Sequence, residues 1–193
     1  TVCLGSGTQF NDASYTFGNY NINSWVWDFG DPNSNLDTST AQNPTYTYTA
    51  AGVYNVSLTV NSSKPGQAQT ITKAVTVEDP KADFSFTAPV YQTPVNFNDL
   101  TTGGNVVFWR WYFGDPQSGK NDSAFGSGPV HVFDTAGYYD VTLIVMTSGG
   151  CVDTIVKTIH ILQQQVPLAD FTASSFNPYV GQKVNLIDQS VYN

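Results

Sequence analysis

The chain has 193 residues, of which 40% are hydrophobic, 14% are aromatic and only 11% are charged. Fifteen acidic residues against seven basic ones give a net charge of −8. This balance excludes a nucleic-acid partner and an anionic membrane surface, because both kinds of binding rest on Lys and Arg. No apolar run is long enough to cross a bilayer, so we expect no membrane insertion.

Short runs of alternating apolar and polar residues predict an all-β chain with turns every 8 to 12 residues. No segment shows helical periodicity beyond a single turn. In chain order, the predicted strands cover 7–12, 23–29, 45–48, 53–61, 69–78, 82–87, 94–99, 105–113, 129–133, 138–147, 151–162, 169–174 and 182–188. The length fits two domains of about 80 to 85 residues with surplus strands at the end.

One aromatic strand occurs twice. Residues 24–32 read SWVWDFGDP and residues 108–116 read FWRWYFGDP, a spacing of 84 positions. Aromatic rings at every second position predict a strand with one buried face, and all four tryptophans lie in these two strands. A Gly-Asp-Pro turn ends each copy. A repeated aromatic strand predicts the core of a repeated domain.

A second repeated pattern completes the motif. Residues 44–48 (PTYTY) and 52–60 (GVYNVSLTV) return as residues 129–133 (PVHVF) and 137–145 (GYYDVTLIV). Together the motifs resemble the PKD domain, an immunoglobulin-like module common in bacterial surface proteins. Its pattern is Trp-Asp-Phe-Gly-Asp, then Pro-x-His-x-Tyr, then Gly-x-Tyr-x-Val-x-Leu-x-Val.

The resemblance implies tandem immunoglobulin-like (PKD) β-sandwiches. We expect repeat one (residues 1–80) to lack its first strand, repeat two (81–166) to be complete, and residues 167–193 to supply the first two strands of a third repeat. Short linkers are expected at 78–81 and 163–167. The residues that carry the core signature are Trp27, Phe29, Tyr54, Trp111, Phe113 and Tyr139. The two tyrosines among them are candidates for tyrosine corners.

The only cysteines are Cys3 and Cys151, so a disulfide within one repeat is impossible by count. In an immunoglobulin-like sandwich, Cys3 lies at the lower end of repeat one and Cys151 follows a hairpin at the upper end of repeat two. Head-to-tail stacking brings these two ends together. We therefore predict an interdomain disulfide in an oxidising, extracellular setting. The alternative is two unpaired, small hydrophobic residues.

Catalytic chemistry finds little support in the sequence. His131 stands where repeat one has Tyr46, so the position favours a ring with a polar end over a catalytic base. His160 is expected to face solvent. Asp28 and Asp31 would fit a paired-carboxylate mechanism, but Asp28 has no acidic counterpart in repeat two and turn capping explains Asp31 better. We expect no enzyme activity and no cofactor.

The loops after the Gly-Asp-Pro turns raise the question of calcium. Oxygen-bearing side chains at alternate positions suit this ion, and the weak candidates are Asp31, Asp37, Asp115 and Asp122. The resemblance adds that some PKD-like domains of collagenases bind calcium through an acidic pair just before the Trp strand. That region holds no acid here. Asx turns are the favoured interpretation, and no metal is predicted.

Two further features point to glycans. Trp25 and Trp109 are candidates for sugar stacking, although the alternation places them on the buried face of each strand. Three Asp-Ser/Thr-apolar tripeptides resemble the O-glycosylation pattern of Bacteroidetes; the candidate acceptors are Ser123, Thr135 and Thr154. Low charge and Thr/Asn-rich repeats also resemble PKD arrays in large secreted proteins and adhesins of that phylum.

The resulting functional interpretation is a non-catalytic, extracellular segment that acts as a structural spacer or as an adhesion module of a large bacterial surface or secreted protein. Its expected partners are neighbouring PKD repeats of the same polypeptide, with a cell-surface protein or glycan as further candidates. Two alternatives remain open at this stage. One is an accessory substrate-binding module of a secreted hydrolase, and the other is the subunit of a strand-exchanged fibre.

Overall fold

The computed structural model describes residues 1–64, 66–163, 167–174 and 176–192. It shows an all-β chain of two immunoglobulin-like sandwiches followed by paired strands. The strands of repeat one are β1 (Val2–Cys3), β2 (Gly7–Gln9), β3 (Ile22–Asp28), β4 (Thr38–Ser39), β5 (Thr45–Thr47), β6 (Gly52–Ser62) and β7 (Ala68–Glu78).

Repeat one is a sandwich of unequal sheets. The larger sheet has the order β1-β7-β6-β3-β4, in which β1 runs parallel to β7 and the other neighbours are antiparallel. Among the described residues, the smaller sheet consists of β2 and β5. Aromatic and aliphatic side chains from both sheets form the core, because alternate residues of each strand point inward.

Repeat two follows the same plan, with one more strand in its smaller sheet. Its strands are β8 (Phe84–Phe86), β9 (Val95–Asp99), β10 (Val106–Tyr112), β11 (Ser123–Phe125), β12 (Val130–His131), β13 (Gly137–Thr147) and β14 (Val152–Ile161). One sheet has the order β11-β10-β13-β14, and the other has the order β12-β9-β8. The extra strand relative to the smaller sheet of repeat one is β8, the opening strand of the domain.

A 3₁₀ helix at Pro116–Asp122 lies in the loop after the second Gly-Asp-Pro turn, where the sequence shows no helical periodicity. Two short turns meet at Gly119, whose positive φ of 62° breaks the helical geometry between them. The turn is closed at its ends instead: Asp115 accepts a hydrogen bond from the Ser118 amide, and its own amide donates to the Asp122 carboxylate. Such short-range closure needs no helical period in the sequence.

After repeat two, residues 167–174 and 176–192 form two strand pairs. β16 (Phe171–Ala173) pairs with β17 (Leu186–Asp188), and β15 (Pro167–Leu168) pairs with β18 (Val191–Tyr192). The predicted linker at 163–167 lies largely outside the described residues.

The tryptophans of the core signature lie at the centre of each sandwich. Trp111 is fully buried and its indole N–H donates to the Gly126 carbonyl at 2.8 Å. Trp27 is buried as well, but its indole nitrogen has no hydrogen-bond partner among the described residues. Phe29 and Phe113 stack on the rings that follow them on β5 and β12.

The penultimate strand of each sandwich begins with a tyrosine that bonds back to the preceding loop. The Tyr54 hydroxyl donates to the Ala50 carbonyl at 2.8 Å. The Tyr139 hydroxyl donates to the Thr135 carbonyl at the same distance. Both bonds have the geometry of a tyrosine corner, which fixes the turn that leads into β6 and β13.

Candidate functional site: the joint between the repeats

A disulfide joins the two repeats. Cys3 and Cys151 are linked with an S–S distance of 2.10 Å and a Cα–Cα distance of 5.4 Å, across a sequence separation of 148. Cys3 reaches the joint because β1 pairs with the end of β7, which places Cys3 opposite Glu78. Cys151 is held at the base of the β13–β14 hairpin, where Thr147 bonds both its amide and its carbonyl.

Glu78, which was predicted to lie in the linker, is the second connection across the joint. Its backbone carbonyl accepts the Leu4 amide of repeat one at 2.9 Å. Its carboxylate accepts the Thr147 hydroxyl of repeat two at 2.5 Å and the Asn105 amide at 3.4 Å. The carboxylate is buried, so these bonds satisfy a charge that would be costly to leave unpaired.

The linker backbone is bonded along its length to the loop that precedes β10. Asp79 donates its amide to the Gly103 carbonyl at 3.0 Å. Lys81 and Thr102 exchange amide–carbonyl bonds of 2.9 and 3.2 Å. These hydrogen bonds pair backbone groups that a flexible hinge would expose to water. The described linker is therefore held against repeat two.

Close packing at the joint requires glycine at two places. Gly103 has a positive φ of 82°, and a Cβ there would lie 2.0 Å from the Asp79 carbonyl oxygen. A Cβ on Gly149 would lie 2.5 Å from the Thr1 side chain and 2.8 Å from the Glu78 carboxylate. The loops of repeat two approach repeat one this closely only because both positions lack a side chain.

The aspartates of the two Gly-Asp-Pro turns are buried, and each carboxylate contacts the polar end of a ring on β5 or β12. The Asp31 carboxylate accepts the Tyr46 hydroxyl at 3.0 Å, and the Asp115 carboxylate lies 3.2 Å from Nε2 of His131. Burial raises the pKa of Tyr46, and the nearby Asp31 carboxylate adds to this rise. His131 and Tyr46 therefore play one role: each is a ring with a polar end facing a buried acid.

The residues predicted as calcium candidates take part in separate hydrogen bonds. The Asp122 carboxylate accepts the Asp115 amide, and the Asp37 carbonyl accepts the Phe29 amide at 2.7 Å. Within the ranges that the structure describes, no group of three or more His, Cys, Asp or Glu side chains is arranged to hold a metal ion. Asx-type bonds, such as the Asn33 amide to Asp31, account for the loop geometry.

The sugar-stacking candidates are partly buried and anchored. The indole N–H of Trp25 donates to the Asp12 carboxylate, and that of Trp109 donates to the Asp99 carboxylate, each at 2.7 Å. Burial tends to raise the pKa of Asp12, but hydrogen bonds from Ser14, Trp25 and Gln42 outweigh it and lower the value. The repeated Trp–Asp bond fixes both rings against the sandwich.

The glycosylation candidates differ in their surroundings. Thr154 is exposed on β14, whereas Ser123 is half-buried on β11. Thr135 is exposed, but its hydroxyl lies 2.7 Å from the Tyr139 hydroxyl. His160 is exposed and stacks on Tyr138. In the part of the chain that the structure describes, no helix has the length and apolarity needed to span a membrane.

Two sandwiches with a covalent joint define a tandem immunoglobulin-like protein. A family model described as the PKD domain matches residues 1–77 and 78–161, so the chain belongs to the PKD domain family. It is 32% identical over 148 residues to the pre-pro-metalloprotease PrtV of Vibrio cholerae. This match covers 70% of the chain and 14% of PrtV. It is 33% identical over 99 residues to the collagenase ColA of Bacillus cereus, which covers 51% of this chain and 10% of that protein.

Among solved structures, the PKD1 domain of Vibrio cholerae PrtV is 30% identical to this chain, with a TM-score of 0.36; the match covers 42% of this chain and 95% of that domain. The chain thus spans a small fraction of the curated relatives that it matches. These relatives come from Vibrio and Bacillus and do not support the Bacteroidetes-type origin that the composition indicated.

Proposed function

We propose that the two repeats form a non-catalytic, stiff spacer that holds the flanking parts of a larger extracellular protein at a fixed separation. The observation that carries this proposal is the Cys3–Cys151 disulfide across the joint. Domains in one chain move relative to each other by default unless their interface is large or specially fastened. A covalent bond together with the buried Glu78–Thr147 bond supplies that fastening.

The position of the disulfide also defines how the chain carries tension. A force applied at the two ends enters near Thr1, crosses the bond from Cys3 to Cys151 and continues along β14. The backbone between the two cysteines lies outside this path. Repeat one therefore stays folded under loads that would otherwise unravel it, which suits a segment whose role is to keep its length.

An extracellular location is part of the proposal. Disulfides persist in oxidising compartments and are rare in the cytosol. The partners in this role are the neighbouring PKD repeats of the same polypeptide, and the adhesin-like presentation of a distal segment is one use of such a spacer.

A second candidate is an accessory module of a hydrolase, which the similarity to a metalloprotease and a collagenase favours. In that role the repeats would contact a protein or glycan substrate beside a catalytic domain. The stiff joint is compatible with this use, because a module that presents a substrate also benefits from a fixed orientation.

Stretching single molecules by their termini tests the spacer proposal. The disulfide removes a loop of 148 positions from the extensible length, or about 500 Å at the span of an extended chain. We expect the oxidised chain to be shorter at full extension by this amount than the matched Cys3→Ser/Cys151→Ser chain. Equal lengths would contradict the proposed load path.

A further inference from the structure

We propose that the outward face of the four-stranded sheet of repeat two is an interface, and that its occupant is the same face of a second copy of this chain. The inference goes beyond the spacer role and does not depend on it. It rests on the side chains that β10, β11, β13 and β14 turn away from the core, and on the symmetry of their arrangement.

The two repeats carry different side chains on this outward face. In repeat two, five outward positions hold apolar or aromatic residues: Phe108, Tyr112, Ile144, Met146 and Val156. The corresponding positions of repeat one, in the same order, hold polar residues: Ser24, Asp28, Thr59, Asn61 and Thr72. Both sandwiches fold around their inward faces, so the fold itself does not require apolar residues here.

The apolar side chains of this face are open to solvent. Tyr112 is 39% exposed, Val156 is 55% exposed, and Phe125 on the neighbouring strand β11 is 60% exposed. A contiguous apolar patch of this kind marks an interaction surface, and aromatic, Met and Arg side chains are the types enriched at protein interfaces.

Arg110, the only arginine of the chain, stands among these rings. Its guanidinium carbon lies 4.7 Å from the centroid of the Phe125 ring and 5.0 Å from that of the Tyr112 ring, which hold it in place. Among the described residues, no carboxylate lies within ion-pair distance of Arg110, and its Nε atom has no hydrogen-bond partner. The fixed guanidinium is therefore available to a carboxylate of a partner.

The same face carries a carboxylate at Asp140. This side chain is exposed and accepts the Thr158 hydroxyl at 2.5 Å, and no cation lies within ion-pair distance of it in the described part of the chain. Arg110 is paired with Ile144, four residues further along β13 than Asp140. Four residues of a strand span about 13 Å, so the two charges cannot meet within one molecule.

The strand register makes this face self-complementary about one row of side chains. Tyr112, Thr142 and Val156 lie side by side in the central row. Arg110 lies in the next row on one side, and Asp140 lies in the next row on the other side. A twofold axis along the central row, in the plane of the interface, therefore places Arg110 of each copy opposite Asp140 of the other.

The outer rows match under the same axis. The row of Phe108 and Met146 covers the row of Tyr138 and His160 of the other copy. Tyr138 is 73% exposed and stacks on His160, with ring centroids 4.3 Å apart. Apolar side chains of one copy thus cover exposed rings of the other. The strands of the two sheets run along the same direction, as in aligned sheet packing.

Sedimentation of the full, oxidised chain over a wide concentration range tests the proposal. We expect an equilibrium between monomer and dimer. Arg110→Asp and Asp140→Arg should each raise the dissociation constant about 100-fold, because each places like charges opposite one another, and the double variant should restore assembly. Val26→Asp and Asn55→Arg make the same changes at the corresponding positions of repeat one and should leave assembly unchanged.

Chemical crosslinking tests the position of the twofold axis. Val156 lies on the axis, so Val156→Cys faces itself across the interface, and a short bismaleimide should join two copies. Thr72→Cys, the matched variant in repeat one, should remain uncrosslinked. A chain that stays monomeric at all concentrations overturns the proposal. A dimer that ignores the charge exchange, or that fails to crosslink through Val156→Cys, overturns it as well, because the copies then meet elsewhere.

Discussion

Cys3 and Cys151 form a disulfide across the joint between two domains, with their Cα atoms 5.4 Å apart and 148 positions between them in sequence. Each cysteine belongs to a different sandwich, so the bond crosslinks domains and leaves each core to hold itself by packing. The linker between the sandwiches also forms backbone hydrogen bonds with both repeats at this joint.

Loss of the buried Glu78–Thr147 hydrogen bond should destabilise the chain more than loss of the exposed ion pair beside it. Replacing Glu78 with Ala leaves the buried Thr147 O–H without an acceptor, although its oxygen still accepts the Cys151 amide, so we expect a loss of about 1.5 to 3 kcal/mol in the free energy of unfolding. Lys81→Ala removes an exposed ion pair with Asp79 and should cost about 1 kcal/mol or less. Urea denaturation measures both. Equal losses would contradict a structural role for Glu78.

The two core tryptophans predict different costs for the same substitution. Trp111→Phe removes the hydrogen bond to the Gly126 carbonyl, at a cost of about 0.5 to 1.5 kcal/mol beyond the lost packing. Trp27→Phe loses no such bond, because its indole nitrogen has no partner among the described residues. The melting temperature should therefore fall further for Trp111→Phe than for Trp27→Phe.

Truncation of the same rings gives the limiting case. Trp111→Ala should cost about 3 to 5 kcal/mol, since it leaves a large cavity in a fully buried site. Thermal unfolding indistinguishable from that of the parent chain would show that Trp111 does not anchor the core.

Alkaline pH should destabilise repeat one through Tyr48. Burial, with the nearby charges of Tyr46, Asp31 and Tyr54, raises the pKa of Tyr48 from 10.0 to about 12. The folded state thus favours the neutral phenol; its contribution is complete below pH 10 and is lost as pH rises through about 12.

The variant Tyr48→Phe isolates this effect, and repeat two shows that the position accepts Phe, since Phe133 stands there. The substitution removes the bond to the Phe29 carbonyl at every pH but should flatten the decline in melting temperature between pH 10 and about 12. An unchanged slope would assign the alkaline decline to other tyrosines.

Calcium should leave the melting temperature unchanged. The Asp31 carboxylate already accepts the Asn33 amide, that of Asp122 accepts the Asp115 amide, and that of Asp115 accepts the Asp134 amide. A metal that bound the native state would raise stability by RT ln(1 + [L]/Kd). Scans in chelator and in millimolar calcium measure this directly, and a reproducible rise in calcium would reveal a site on the chain.

The long strands were predictable because their signal is local. Alternation placed the predicted strands 53–61 and 138–147 within about one residue of β6 (Gly52–Ser62) and β13 (Gly137–Thr147). The short strands β1, β4 and β11 were missed, since they exist only through pairing with β7, β3 and β10. Two or three residues carry no period of their own.

The contacts at the joint were likewise predictable only in part. The approach of Cys3 and Cys151 followed from strand direction in stacked sandwiches, which a repeat pattern is enough to define. The role of Glu78 did not, because its partner Thr147 lies in the next domain and the counterpart in repeat two is Leu162. An acid at the end of an apolar strand, where the other repeat has an aliphatic residue, was the available signal.

Residual dipolar couplings of the two repeats show whether the disulfide fixes the orientation of one repeat relative to the other. We expect one alignment tensor to fit the couplings of both repeats in the oxidised chain. In the Cys3→Ser/Cys151→Ser chain, the two repeats should require tensors of different magnitude. Separate tensors in the oxidised chain, or one shared tensor that persists without the cysteines, would contradict it.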